Sequence, residues 1–148
     1  MSAEEKLGNF FVSCFYSVLD AEEKAIEAIT KGKLSLKEVH VIEAVINAQK
    51  SNENNFSNVA KLLDITLGTL TISFNRLQKK GYLYKEQNQT DKRVYHIFPT
   101  REAEIINEQH AAFHKKMIDG IVQRMPGKDI DNLADALEAL SGFLNELL

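Results

Sequence analysis

The segment from Asn55 to Pro99 limits the possible folds more than any other part of the chain. It begins with two short runs of apolar residues at helical spacing, which are separated by the turn Asp64-Ile65-Thr66. The second run ends at Lys79-Lys80-Gly81, where glycine accepts the left-handed conformation that commonly stops a helix. Two stretches rich in aromatic and branched residues, Tyr82–Gln87 and Arg93–Phe98, then flank a turn-forming run and predict a β-hairpin. This order is typical of a winged helix-turn-helix, which makes nucleic acid the first partner to consider.

Charge is distributed unevenly along the chain, in a way that supports a nucleic-acid partner. The whole chain has a net charge of −3, but the window Leu67–Arg101 contains seven Lys and Arg residues against only Glu86 and Asp91. Basic residues are therefore concentrated where a duplex would lie, and the acidic remainder disfavours unspecific binding. A solvated charged face is the alternative explanation of the same pattern.

The second helix of this segment is the candidate reading helix. Leu70, Phe74 and Leu77 recur at steps of four and three residues and therefore lie on one inward side. The residues left on the other faces, which would contact the major groove, are Gly68, Thr69, Thr71, Ile72, Asn75 and Arg76. Lys92 and Arg93 lie at or beside the tip of the hairpin and add candidate DNA contacts. Thr69 and Thr71 can donate, accept or offer methyl groups to thymine, Ile72 can make only apolar contact, and Arg76 is suited to phosphate or guanine. We therefore expect an A·T-rich site.

Two helices are predicted before this segment. Apolar residues at three- and four-residue steps predict one long amphipathic helix over about Ala3–Thr30. Ser35 followed by Glu38 is the signature of a capping box, and it starts a second helix over about Leu36–Gln49. The polar run Lys50–Asn55 then favours a loop, with room for a short strand at its end.

Two more helices are predicted after the hairpin, and they favour a homodimer. One should run from the cap residue Thr100 to Met125, because Pro126-Gly127 breaks the pattern. The last helix carries leucines at a 4-3-4-3 spacing, the seam of helices that pack as a coiled coil: Leu133, Leu137, Leu140, Leu144 and Leu147. We therefore expect a mainly α fold with a small β-hairpin wing, in which 1–34 and 100–148 form a helical dimerisation region and 35–99 form the DNA-binding region. A two-fold dimer would hold its reading helices about 34 Å apart and would favour a palindromic site.

Composition narrows the remaining possibilities. Cys14 is the only cysteine and cannot form an internal disulfide, and the sequence has neither a basic-then-apolar leader nor an apolar run near twenty residues. We therefore expect a cytoplasmic protein that does not enter a membrane. The chain has no Gly-rich phosphate loop and no recognisable nucleophile motif, so neither an enzyme nor a cofactor is expected. A third class, a protein-interaction module whose winged unit binds another protein instead of DNA, also fits the apolar seam and the acidic remainder.

The order of elements resembles the MarR family of dimeric transcriptional regulators over nearly the entire chain. Asp91-Lys92-Arg93 is similar to that family's Asp-x-Arg motif in the wing. The resemblance implies that Arg93 enters the minor groove while Asp91 steadies the wing tip. Narrow A·T-rich minor grooves concentrate negative potential that attracts arginine, so the physical chemistry agrees with these roles. The alternative is that Asp91 only forms the turn and Arg93 is a solvated strand residue.

Within that family, the chain resembles the fatty-acid-synthesis repressors of Firmicutes that are often called FabT. The similar stretches are Leu34–His40, Thr66–Thr71, Lys80–Tyr82 and Phe113–Met117. The resemblance implies a repressor that binds DNA more tightly in the presence of long-chain acyl groups on acyl carrier protein. The chain departs from the FabT pattern in its enlarged loop at Lys50–Asn55 and in a wing tip, Asn88-Gln89-Thr90, that has no charged residue.

An effector pocket is expected between the long first helix, the second helix and the helix after Pro99. Its candidate residues, for which ordinary core packing is the alternative role, are Phe11, Phe15, Val18, His40, His110, Phe113, His114 and Met117. His110 and His114 share one helical face, and with His40 they could instead supply three imidazoles to zinc. Zinc-sensing members of the MarR family place ligands in similar helices, and Glu22, Glu23 or Glu27 could add a carboxylate. A zinc-responsive regulator is therefore the alternative to an acyl-responsive one.

Overall fold

The computed structural model describes residues 1–148, which form two compact units, Met1–His110 and Ala111–Leu148. The chain is mainly helical with one two-stranded antiparallel hairpin, as predicted. In chain order the elements are α1 (Ala3–Asn9), a π-helical turn (Phe10–Cys14), α2 (Phe15–Thr30), α3 (Leu36–Lys50), α4 (Phe56–Leu63), α5 (Leu67–Lys79), β1 (Leu83–Gln87), β2 (Tyr95–Pro99), α6 (Arg101–Arg124) and α7 (Gly127–Leu147). None of the helices combines the length and the apolar character that crossing a membrane requires.

Helices α3, α4 and α5 each begin after a residue whose side chain caps them. The Ser35 hydroxyl oxygen accepts from the backbone N–H of Glu38 at 3.2 Å, and the Glu38 carboxylate accepts from the Ser35 N–H at 3.1 Å. This capping box satisfies two backbone donors that α3 cannot pair within itself. Thr66 caps α5 by accepting from the backbone N–H of Thr69 at 3.1 Å, and the Asn55 side chain caps α4. The predicted starts of α3 and α5 are confirmed by these bonds.

The long first helix differs from its prediction in one detail. Between α1 and α2 the backbone adopts a π-helical turn at Phe10–Cys14, so the helical segment is continuous but not uniformly α. The Ser13 hydroxyl donates to the carbonyl oxygen of Asn9 at 2.7 Å and competes there with the backbone. A side-chain bond of this kind depends on local geometry that apolar spacing does not record, which is why the pattern predicts an ordinary helix.

The core of the first unit is centred on α3 and α5 and also takes in side chains from α2, α4, the hairpin and the start of α6. The three α5 side chains predicted to face inward, Leu70, Phe74 and Leu77, are all buried. On α4, however, helical spacing also predicts an inward Leu62, and this side chain is 59% exposed. Ala60 is buried instead, because the inner face of this short helix is formed by Val59 and Ala60 with the partly buried Phe56 and Leu63.

The hairpin is held at the middle of β2 by Asn54, which lies in the loop between α3 and α4. β1 and β2 pair from Leu83 with Pro99 to Gln87 with Tyr95, which leaves the backbone of Ile97 facing away from β1. The Ile97 N–H donates to the carbonyl oxygen of Asn54 at 2.8 Å, and the buried Asn54 amide donates to the Ile97 carbonyl at 2.8 Å. Asn54 therefore satisfies both backbone groups of Ile97 on the outer edge of the wing.

Replacing Asn54 by alanine is expected to lower the free energy of unfolding by about 1–3 kcal/mol, because the Ile97 carbonyl would lose its side-chain donor. Urea unfolding followed by circular dichroism measures the change. Asn47→Ala is the matched control, since Asn47 is exposed on α3 and should change stability by less than about 0.5 kcal/mol. Equal stability of the two variants would show that the bond from the Asn54 amide does not stabilise the wing.

Candidate nucleic-acid interface

The outer faces of α5 carry six of the predicted DNA contacts. These residues, all exposed, are Gly68, Thr69, Thr71, Ile72, Asn75 and Arg76. The helix can present them because its opposite side, with Leu70, Phe74 and Leu77, is buried in the core. The outer faces thus combine small polar side chains with one cation and one large apolar side chain.

The two remaining predicted contacts lie in the wing turn, where an ion pair orients the arginine. Lys92 and Arg93 are exposed, and both precede β2. Arg93 donates from Nε to one oxygen of the Asp91 carboxylate and from Nη2 to the other, each at 3.1 Å. The Arg93 backbone N–H also donates to Asp91 at 3.1 Å. These bonds from the side chain and backbone of Arg93 hold the pKa of the Asp91 carboxyl below its ordinary value.

Asn88 organises the turn from which Arg93 projects. Its side-chain oxygen accepts from the backbone N–H groups of Thr90 and Asp91 at 2.9 and 3.0 Å, and from the Thr90 hydroxyl at 2.8 Å. Its amide nitrogen lies 3.0 Å from Nε2 of His96 on β2. Because an amide NH₂ group only donates, Nε2 of His96 is the acceptor in this pair. The segment Asn88-Gln89-Thr90, which has no charged residue and departs from the FabT pattern, is thus ordered by an asparagine, while the charged residues of the wing tip follow it.

A second long-range contact ties the end of the reading helix to the start of α3. Lys80 Nζ donates to the two oxygens of Glu38 at 2.9 and 3.2 Å and to the backbone carbonyl of Lys33 at 3.0 Å. Partial burial alone raises the pKa of the Glu38 carboxyl, but bonds from Lys80 and the Ser35 backbone, with the charge of Lys80, lower it overall. The sequence contains no local signal of this contact, because 42 residues separate the two side chains.

Glu38→Gln is expected to lower the free energy of unfolding near neutral pH by roughly 0.2–1 kcal/mol, because a partly exposed ion pair is lost while glutamine can keep the capping box. The folded-state pKa of Glu38 lies below its ordinary value of 4.5. The stabilisation is therefore complete above that ordinary value and is lost as the pH falls through the lower folded-state pKa. Urea unfolding of wild type and variant should differ at neutral pH and converge in acid. Glu53→Gln, at an exposed loop position, is the control and should show no such convergence.

The predicted effector residues have different environments. Phe11, Phe15 and Val18 are exposed, at 38%, 50% and 44%. In the first unit, His110 is buried, and its Nε2 lies 2.9 Å from Oε1 of Glu22, while the ring of the exposed His40 lies 6.3 Å away between centroids. The predicted effector residues of the second unit, all partly buried, are Phe113, His114 and Met117.

Together, the capped pair α4 and α5, the exposed outer faces of α5 and the basic tip of the hairpin define a winged helix-turn-helix DNA-binding protein. A family model described as transcriptional regulator SarA/Rot matches residues 24–109. The chain belongs to this family of transcriptional regulators, and it is a FabT-like member of the MarR-type winged-helix proteins.

Solved structures support the same assignment. Streptococcus pneumoniae FabT in complex with DNA is 32% identical, with 98% of this chain and 99% of that chain aligned and a TM-score of 0.86. The S. aureus MepR–DNA complex is 16% identical over 89% of this chain and 97% of that chain, with a TM-score of 0.69. A MarR family transcription regulator is 14% identical over 97% of this chain and 94% of that chain, with a TM-score of 0.74. The last two similarities concern the fold alone. A search of curated proteins finds no match.

Proposed function

We propose that the chain is a homodimeric repressor that binds an A·T-rich palindrome and responds to a fatty acyl effector carried by acyl carrier protein. The observation that carries this proposal is the reading helix with its exposed outer faces beside a cationic wing tip. It occurs in a chain that is 32% identical to FabT over 98% of its length, and that FabT was solved in complex with DNA.

The proposed dimer is supported by apolar side chains that stay exposed at both ends of the chain. On α7, Leu133, Leu137, Leu144 and Leu147 are between 37% and 65% exposed. Leu7 and Phe10 add exposed apolar surface near the amino terminus. Apolar patches of this kind commonly mark a protein interface, and a second copy of the chain would cover them.

Selection of bound fragments from a randomised duplex pool tests the DNA part of the proposal. The protein should recover an A·T-rich inverted repeat whose half-sites are one helical turn apart. The selection is then repeated with palmitoyl-loaded acyl carrier protein, which should increase recovery of the same repeat. Recovery of unrelated sequences would contradict sequence-specific binding and would favour the reading in which the winged unit binds another protein.

Arg93→Ala is expected to weaken binding to the selected duplex and to reduce the slope of log affinity against log salt by about one per protomer. The reason is that one cation at the wing tip no longer neutralises the negative potential of the minor groove. Titrations at several salt concentrations measure both quantities. Arg124→Ala, at an exposed position near the end of α6, is the matched control. Unchanged affinity of the Arg93 variant would contradict DNA binding through the wing.

The proposed acyl response is supported by the exposed apolar surface around α2. Phe11, Phe15 and Val18 offer side chains that an acyl chain could cover. Phe15→Asp should abolish the effect of palmitoyl-loaded acyl carrier protein on DNA affinity, because it places a charge against the chain. Tyr16→Asp, at the neighbouring exposed position, is the comparison variant. A full acyl response in the Phe15 variant would exclude this surface.

Zinc sensing is the second candidate, and the close approach of Glu22 to His110 beside His40 favours it. A carboxylate and two imidazoles are ligand types that Zn²⁺ uses, and His114 follows His110 by one helical turn on α6. Titration with Zn²⁺ alone, read by calorimetry and by duplex affinity, distinguishes the candidates. A zinc sensor should gain DNA affinity with Zn²⁺, and His40→Ala should lose that gain. An acyl-responsive regulator should respond only to the acylated carrier.

A further inference from the structure

The centre of the outer surface of α5 is an isoleucine. At 100° per residue, Ile72 lies about 160° around the helix axis from the buried Leu70 and Phe74. Its side chain is 58% exposed, and it belongs neither to the buried core nor to the partly buried side chains that pack against the core. Gly68, one turn before, and Arg76, one turn after, each lie about 40° from Ile72 around the axis, so the apolar side chain projects between them. Lys79 lies about 20° from Ile72 around the axis but two turns further along the helix.

The surface beside Ile72 is uncovered at Gly68, and the neighbouring Thr71 hydroxyl is already engaged within the helix. A Cβ built on Gly68 would meet no atom closer than the Thr66 hydroxyl at 4.0 Å, so nothing covers the surface next to Ile72 there. The Thr71 hydroxyl donates its only hydrogen to the Leu67 carbonyl at 2.8 Å. Thr71 therefore offers a methyl group and lone pairs, but no hydrogen, to a partner.

We propose that Ile72 reads the 5-methyl group of thymine in the major groove. The inference rests on the proposed function, since it requires α5 to lie in that groove. Thymine carries the only apolar group that bases present there, whereas the other base edges present hydrogen-bond donors and acceptors. An isoleucine against such polar groups would remove them from water without replacing their bonds, which is unfavourable. The exposed side chain at the centre of the reading surface therefore selects thymine by its methyl group.

Replacing thymine by deoxyuracil in the selected duplex tests this inference directly. The exchange deletes only the 5-methyl group and leaves the minor groove, where Arg93 is proposed to bind, unchanged. The wild-type protein should bind the uracil duplex about fourfold more weakly for each buried methyl group that is lost. Ile72→Ala should show a smaller preference for the thymine duplex over the uracil duplex than the wild type does, and any preference that remains would come from the threonine methyl groups.

Leu62→Ala is the matched control, because Leu62 is 59% exposed, almost the same fraction as Ile72, but lies on α4. It should retain the full preference for thymine over uracil. Equal wild-type affinity for the two duplexes, or an undiminished preference in Ile72→Ala, would overturn the inference while leaving the proposed function intact. If the randomised pool yields no preferred duplex at all, the proposed function and this inference both fail.

Discussion

The double substitution Leu137→Lys and Leu144→Lys is expected to convert the protein into a monomer. It should also lower the affinity for a palindromic duplex at least about a hundredfold. The two leucines are 48% and 42% exposed and lie on the same side of α7. In the proposed dimer, each lysine would place an unpaired charge in an apolar interface, which is strongly unfavourable. Two linked reading helices gain about 10²–10⁴ over a single one, and the monomer would lose that gain.

Analytical ultracentrifugation gives the oligomeric state, and titration of the selected duplex gives the affinity. Asp135→Lys is the matched control, because it adds the same charged side chain at an exposed position on the opposite side of α7. That variant should remain dimeric. A double variant that stays dimeric and binds the duplex as wild type would place the interface away from the α7 leucines.

Phe74→Ala is expected to lower the free energy of unfolding by about 3–5 kcal/mol, because it deletes a fully buried aromatic side chain and leaves a cavity. The Phe74 ring is 1% exposed and packs edge-on against Phe56, with 5.1 Å between ring centroids. Lys85 Nζ lies 5.7 Å from the centroid of the same ring and 4.8 Å from that of Tyr95. The Phe74 side chain therefore joins the reading helix to α4 through Phe56 and to the wing through Lys85.

Urea unfolding measures the loss, and the melting temperature should fall with it. Ile72→Ala is the control for stability, since Ile72 is on the same helix but 58% exposed and should change the unfolding free energy by less than about 0.5 kcal/mol. A loss of less than about 1 kcal/mol in the Phe74 variant would mean that the core collapses around the missing ring.

The reading helix and the hairpin could be predicted from sequence because their signals are local. The cap at Thr66 and the inward residues of α5 are set by interactions within three or four residues along the chain. The turn between the strands follows from the backbone preferences of Asn88 and its neighbours. Once the buried face of a helix is known, its regular geometry also fixes which residues lie on the exposed faces. The exposed positions on α5 were therefore predictable as well.

The amino-acid sequence by itself determined the order of helices, the helix caps, the hairpin and the placement of basic residues on it, since each depends on spacing over a few residues. Only the tertiary structure decided that Asn54 holds the outer edge of β2, that Lys80 reaches Glu38, and that Leu62 faces solvent. These outcomes depend on how separate elements pack in three dimensions. Periodicity along one helix or strand contains no information about which distant group will lie within hydrogen-bonding distance.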